Sequence, residues 1–115
     1  MTDVIYSRSG TDHLLVLRGH AGYADRGADI VCAGLSAITY TLMGFLKNNE
    51  EKASMRDEPG MSIILCPSSN RVDAAFEMAV IGYMQIAKQY PDNVTIHISG
   101  TAGGSREQTL QTRPA

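Results

Sequence analysis

The spacing of the apolar residues switches twice along this chain, from alternation to a helical period and back, and that switching limits the folds open to it. Val4 to Arg8 alternates weakly, and His13 to Gly19 alternates more strongly, with Leu15 and Leu17 on one face and Leu14 and Val16 on the other. Ser9-Gly10-Thr11-Asp12 between them is turn chemistry, so the two runs read as a hairpin. From Ile30 to about Leu46 the period lengthens, and Leu35, Ile38, Leu42 and Phe45 recur at helical spacing. Asp29 stands where an N-cap belongs, with Cys32 three residues on. Glu50 to Asp57 is polar and reads as a short edge strand, Glu58-Pro59-Gly60 as a turn, and Met61 to Cys66 as an inner strand. Asn70 followed by Asp73 resembles a capping box and opens a second helix. Its apolar face is Val72, Phe76, Val80, Tyr83 and Ala87, and it ends at Tyr90-Pro91. Val94 to Ser99 alternates again, with Val94, Ile96 and Ile98 inward. The order β-β-α-β-β-α-β predicts one layered α+β domain over residues 1–100, with two helices packed on a mostly antiparallel sheet. Residues 101–115 carry no period and read as a disordered tail.

Composition removes several classes of function. With 115 residues, 43% of them hydrophobic, the chain supports a single core. A net charge of −2 leaves no basic footprint, so nucleic acid is not an expected direct ligand. No unbroken apolar run reaches the roughly 18 residues of a bilayer span, and MTDVIYSRSG lacks the pattern of a signal peptide. The expectation is a cytoplasmic protein with reduced thiols and no membrane partner. The cysteines are Cys32 and Cys66, and neither CxxC nor HxxxH occurs, so no metal and no cofactor is expected. Cys66 and Arg71 are separated by four residues rather than the five of a phosphatase loop, which excludes that reading.

The remaining chemistry concentrates in Gly19 to Ser36, GHAGYADRGADIVCAGLS. A cysteine nucleophile must be partly ionised at neutral pH, whereas an unperturbed thiol ionises near 8.5. A helix N-terminus and a neighbouring imidazolium both favour the thiolate. Cys32 falls in the first helical turn, and His20 follows the second strand across a loop of small residues from Ala21 to Ala28. That loop is expected to be mobile and to close over the site. The unbonded N–H groups of the first helical turn are candidate oxyanion donors. Asp29 has two readings, helix cap or orienting partner of His20. Gly19, Ala21, Ala33 and Ser36 flank the pair as candidate substrate-binding positions, Ser36 lying one turn after Cys32 on the same face. Each residue also has a plain reading: Cys32 as a small buried side chain, His20 as a solvated loop residue, Ser36 as bonded to backbone. His13, His97 and Cys66 read as structural.

These residues resemble the signature of the ribosomal-processing cysteine proteases. The match is carried by Gly19-His20-Ala21, Gly27-Ala28-Asp29-Ile30-Val31-Cys32-Ala33 and Ser36, and the element order extends it over roughly Val4 to Ser99. The resemblance implies a nucleophile at Cys32, a base at His20 and a supporting aspartate at Asp29. It further implies a homodimer with a mobile loop over the site. The implied activity is removal of a short N-terminal extension from large-subunit ribosomal protein twenty-seven, cut in a peptide segment rich in apolar and aromatic residues. The competing readings are a non-catalytic ribosome-associated binding module of the same fold, and a small thiol-dependent hydrolase or redox sensor.

Overall fold

The computed structural model describes residues 1–25 and 27–100, together with the backbone of residues 107 and 108. Its elements are β1 (Thr2–Arg8), β2 (Asp12–Arg18), α1 (Ile30–Asn48), β3 (Ser54–Glu58), β4 (Met61–Pro67), α2 (Asn70–Gln89), β5 (Val94–Gly100) and β6 (Glu107–Gln108). The two-residue β6 pairs antiparallel with Ser99 and Ile98, and the remainder of the expected tail lies outside the described residues.

The strands form one sheet in the order β3-β4-β2-β1-β5-β6. Every pairing is antiparallel except β1 with β5, which run parallel with Thr2 opposite Val94. The sheet is therefore mostly antiparallel, as the element order predicts. The connections through α1 and α2 both join strands that point the same way. They move in opposite directions across the sheet from strands of opposite sense. A right-handed crossover then puts both helices on the same side.

Alternation on the strands agrees. Thr2, Val4, His13, Leu15, Leu17, Ile64, Cys66, Val94 and Ile96 are buried on the helix side, while Leu14 and Leu65 stay exposed on the other. Helix α1 contributes Val31, Leu35, Leu42, Met43 and Leu46, and α2 contributes Val72, Phe76, Val80, Tyr83 and Ala87. By length and mean hydropathy α1 is apolar enough to cross a bilayer. Glycine, serine and threonine interrupt its string of apolar residues. Its packing against the sheet and α2 makes it a core helix here.

Several expected boundaries move. Strand β3 begins at Ser54 rather than Glu50. Glu50 takes a left-handed conformation at φ 54, and the Glu51 N–H closes on the Leu46 carbonyl, so the helix exit uses these residues first. The cap of α2 is Ser69, whose Oγ accepts from the Val72 N–H at 3.2 Å, and not Asn70. Asp73 makes no capping box because its carboxylate is engaged elsewhere. Oδ1 accepts from Ser68 Oγ and lies 2.6 Å from His13 Nε2, while Oδ2 accepts from Arg8 Nη2 at 3.0 Å.

His13, 1% exposed, also meets the Tyr6 hydroxyl at 2.6 Å through Nδ1 and stacks on Phe76. A carboxylate only accepts, so Nε2 carries a proton and donates to Asp73. The bonds from Ser68 and His13, with the Arg8 charge, pull the Asp73 carboxyl down to about 2, and burial pushes the Tyr6 hydroxyl up to about 12. His97 sits on the open face of the sheet, in register with Ile5.

Candidate active site

The site is assembled where β2 ends and α1 begins. Gly19 leaves β2 at φ +90, a backbone region that favours glycine, and turns the chain so that His20 emerges exposed. Asp29 starts α1. Its Oδ1 accepts from the N–H groups of Val31 at 3.0 Å and Cys32 at 2.9 Å, and Oδ2 accepts from the Tyr23 N–H at 3.0 Å. One carboxylate thus holds the helix start and the preceding loop together. Burial pushes the Asp29 carboxyl up. The backbone N–H groups of Cys32, Tyr23 and Ala24, joined by the Cys32 thiol, outweigh burial and hold it below the usual range.

The capping role of Asp29 is seen directly. It is a helix cap, and among the described residues no hydrogen bond joins it to His20. The same bonds narrow the set of first-turn donors open to an oxyanion. The Val31 and Cys32 N–H groups are spent on the cap, and the Ala33 N–H closes on the Asp29 carbonyl at 3.0 Å. A different donor faces the sulfur: the Ala21 N–H points at Cys32 Sγ from 3.3 Å.

Cys32 is half-buried, and His20 and Cys32 line two cavities in common. One cavity, about 360 Å³, extends from Gly19 and Ser36 past Leu17, Leu35 and Tyr40 to the β3–β4 turn at Asp57 to Ser62. The other, about 470 Å³, lies under the loop between Gly22 and Gly27 and includes Asp29, Ala33 and Ser36. Thiol, imidazole and Ser36 hydroxyl therefore stand between two adjoining hollows, the arrangement an extended peptide needs at its scissile bond. Ala21 differs from expectation. It is 1% exposed and lines neither cavity, so its side chain is packing and only its backbone faces the chemistry. Among the described residues no group of three His, Cys, Asp or Glu side chains is placed to hold a metal ion.

The loop is anchored more firmly than its composition predicts. Asn93 Nδ2 donates to the Ala21 carbonyl at 3.0 Å, and Tyr23 packs edge-on against Tyr90 at 5.3 Å. The Met1 nitrogen donates to the His20 carbonyl, and Thr2 Oγ1 to the Gly19 carbonyl. Arg26, within the same loop, lies outside the described residues.

Gly60, whose sequence context reads only as a turn, lies against the His20 ring. Its carbonyl accepts the Gly19 N–H at 2.9 Å, and its φ is +75. A side-chain carbon there would lie 3.3 Å from His20 Nε2. The turn is clasped to α1 because Asp57 accepts from Ser62 Oγ at 2.8 Å and from the Tyr40 hydroxyl, whose ionisation that bond pushes up. Asn93 is the other position that was missed. An asparagine after a helix-ending proline is ordinary turn chemistry, and no local signal points 72 residues back to Ala21.

Cys66 contrasts with Cys32. It is 1% exposed on the inner face of β4, and burial, then the charges of Glu51 and Asp12, push its thiol up.

Comparison with known proteins agrees with this architecture. The sequence profile of a family described as cysteine protease Prp matches residues 1–95. The ribosomal processing cysteine protease Prp of Mycoplasma genitalium is 28% identical over 88 residues, covering 76% of this chain and 89% of its own. The protein of the same name from Mycoplasma pneumoniae is 26% identical over 87 residues, covering 72% and 84%. Among solved structures, the ribosomal processing protease Prp from S. aureus with a covalently linked product peptide superimposes with a TM-score of 0.76. It is 21% identical, and the match covers 85% of this chain and 99% of that one. The match over residues 1–95 takes in every residue of the site, and the chain belongs to the cysteine protease Prp family as a cysteine peptidase.

Proposed function

We propose that this chain is an endopeptidase that removes a short N-terminal extension from large-subunit ribosomal protein twenty-seven, with Cys32 as nucleophile and His20 as general base and acid. The observation that carries the reading is the Cys32 thiol in the first turn of α1, sharing both cavities with His20 and accepting the Ala21 N–H. His20 takes the thiol proton, and the thiolate attacks the scissile carbonyl carbon. As the tetrahedral adduct collapses, the C–N bond breaks and the imidazolium gives its proton to the leaving amine. Water, deprotonated by His20, then attacks the thioester, and the C–S bond breaks to release the new carboxyl terminus and restore the thiol. Asp29 supports the pair by fixing the helix start and the loop, and its carboxylate also meets the Cys32 thiol. Gly19, Ala33 and Ser36 meet the peptide, and Ala21 contributes its backbone.

Three lines support the substrate. The relatives from both Mycoplasma species are named for ribosomal processing. The similar S. aureus protein has been captured with a substrate peptide and with a covalently linked product peptide. The two hollows either side of Cys32 suit an extended segment, with apolar side chains supplying affinity. A ribosomal protein as substrate fits work in the cytoplasm, and the homodimer is carried by the family resemblance. The test is a length series of peptides spanning the junction of the host's ribosomal protein. Turnover should rise with length and need roughly eight residues or more, because remote contacts position the scissile bond. Equal turnover on a tripeptide would instead mark a generic thiol hydrolase.

A further inference from the structure

We propose that Asn93 is a positioning residue for the hydrolysis, holding the Ala21 backbone so that its N–H serves first the Cys32 thiolate and then the oxygen of the tetrahedral adduct. The proposal rests on the reading of Cys32 as the nucleophile.

Asp29 consumes the N–H groups of Val31 and Cys32, so the first turn of α1 does not offer them to an oxyanion. Among the described residues, the hydrogen bond donated to Sγ comes from Ala21, at 3.3 Å. A thiol sulfur is a weak acceptor and a thiolate a strong one, so a donor aimed at Sγ favours the ionised form. The Asp29 carboxylate, which also meets the thiol, opposes it, and the His20 ring faces the same cavities, both groups being unaltered in Asn93 variants. Once sulfur bonds to the acyl carbon it becomes a weak acceptor again, and the N–H is released. The oxygen of the adduct is two bonds from Sγ. A donor already touching Sγ is then within a small rotation of the roughly 3 Å at which an oxyanion donor works.

The orientation of that N–H is not left to a loose loop. The Ala21 methyl is buried at 1% exposure, and the Ala21 carbonyl accepts Asn93 Nδ2 at 3.0 Å. A carbonyl only accepts, so the amide nitrogen of Asn93 must be the atom that faces it. Asn93 is itself fixed: its N–H donates to the Tyr90 carbonyl at 3.0 Å, and its carbonyl accepts the Thr2 N–H at 2.9 Å. A side chain in the turn between α2 and β5 thus sets the direction of a peptide beside the nucleophile.

The experiment uses the full chain with Asn93→Ala and Asn93→Asp. Asn93→Asp keeps the shape, removes the donor and sets a carboxylate against the Ala21 carbonyl. Two readouts are taken: kcat and KM on an extended peptide, and the pH dependence of iodoacetamide alkylation of Cys32, with buried Cys66 as the internal report on folding. We expect kcat to fall roughly tenfold to a hundredfold with KM changed by less than about twofold. The pH midpoint for Cys32 alkylation should move up by about one unit, further for Asn93→Asp than for Asn93→Ala, while Cys66 stays unreactive. An unmoved midpoint in Asn93→Asp overturns the proposal, whatever kcat does. Cys66 becoming reactive in step with the loss also overturns it, because Asn93 is then a scaffold residue. Cys32→Ala, run in parallel, separates the two readings. If it still cleaves, the nucleophile assignment fails. If it is inactive while the Asn93 variants behave as the parent, only the present inference falls.

Discussion

His20 and His13 are seven residues apart in sequence and opposite in circumstance. His13 is sealed in the core, bonded to Tyr6 and Asp73 and stacked on Phe76. His20 is exposed, and among the described residues its ring has no hydrogen-bond partner. The cysteines divide in the same way. Cys66 is buried among apolar side chains that oppose its ionisation, whereas Cys32 is half open with a backbone donor on its sulfur. A satisfied ring and a desolvated thiol stabilise a fold. An unsatisfied ring and a reachable thiol are free to exchange protons and bonds with something else. What separates structure from chemistry here is the partner list and not the residue type.

The sharpest way to break this contrast is to exchange the consequences of the two thiols. Cys32→Ala should abolish peptide cleavage with the fold intact, and Cys66→Ala should keep cleavage. Active Cys32→Ala protein in a peptide assay would end the comparison. Next come the histidines. His20→Ala should lower kcat/KM by two orders of magnitude or more, on the order of 3 kcal/mol in the barrier, with little change in unfolding. His13→Ala should do the reverse. It should cost about 3 kcal/mol in denaturant unfolding, because it opens a cavity and strands the Tyr6 hydroxyl, while kcat on the surviving folded fraction stays near that of the parent.

A smaller effect is expected at Gly60. Gly60→Ala places a methyl against His20 Nε2 and strains a positive φ. We expect kcat to fall about tenfold, or roughly 1.4 kcal/mol, with Cys32 still alkylated at the parent's maximal rate at high pH. Unchanged kcat would show that the turn does not seat the ring. The smallest effect concerns acid. The folded Asp73 carboxyl titrates at about 2, below its unfolded value of 3.8, so its contribution is full above pH 4 and is lost as pH falls toward 2. Because Asp73 is partly open to solvent, that contribution is about 1 kcal/mol. Asn at position 73 should flatten the acid limb of the stability profile by that amount, read by urea melts between pH 2 and 6.

How much of this was legible depends on the range of the interaction. The element order was, because period and turn chemistry are written in neighbouring residues. That His20, Asp29 and Cys32 come together was legible because the cap, the helix start and the strand end fall within one segment. Ser69 displaced Asn70 as a cap because adjacent residues of equal capping ability differ only in which backbone is extended. Gly60 and Asn93 stayed hidden because their contacts exist only after distant elements dock. The loop appeared unanchored for the same reason, since its ties come from Asn93 and Tyr90.

The parallel pairing of β1 with β5 has a consequence for timing. Thr95 bonds Asp3 across 92 residues of chain, and Asn93 enters the same register beside Thr2. Contacts of that span form late, because the loop they close must lose its freedom before they return any energy. A chain still under synthesis, with β5 not yet made, already carries thiol, imidazole and cap. It lacks the strand that seats β1 and the amide that steers Ala21. The β1–β5 register, and with it the bond from Asn93 to the Ala21 carbonyl, therefore closes only with the last of these strands.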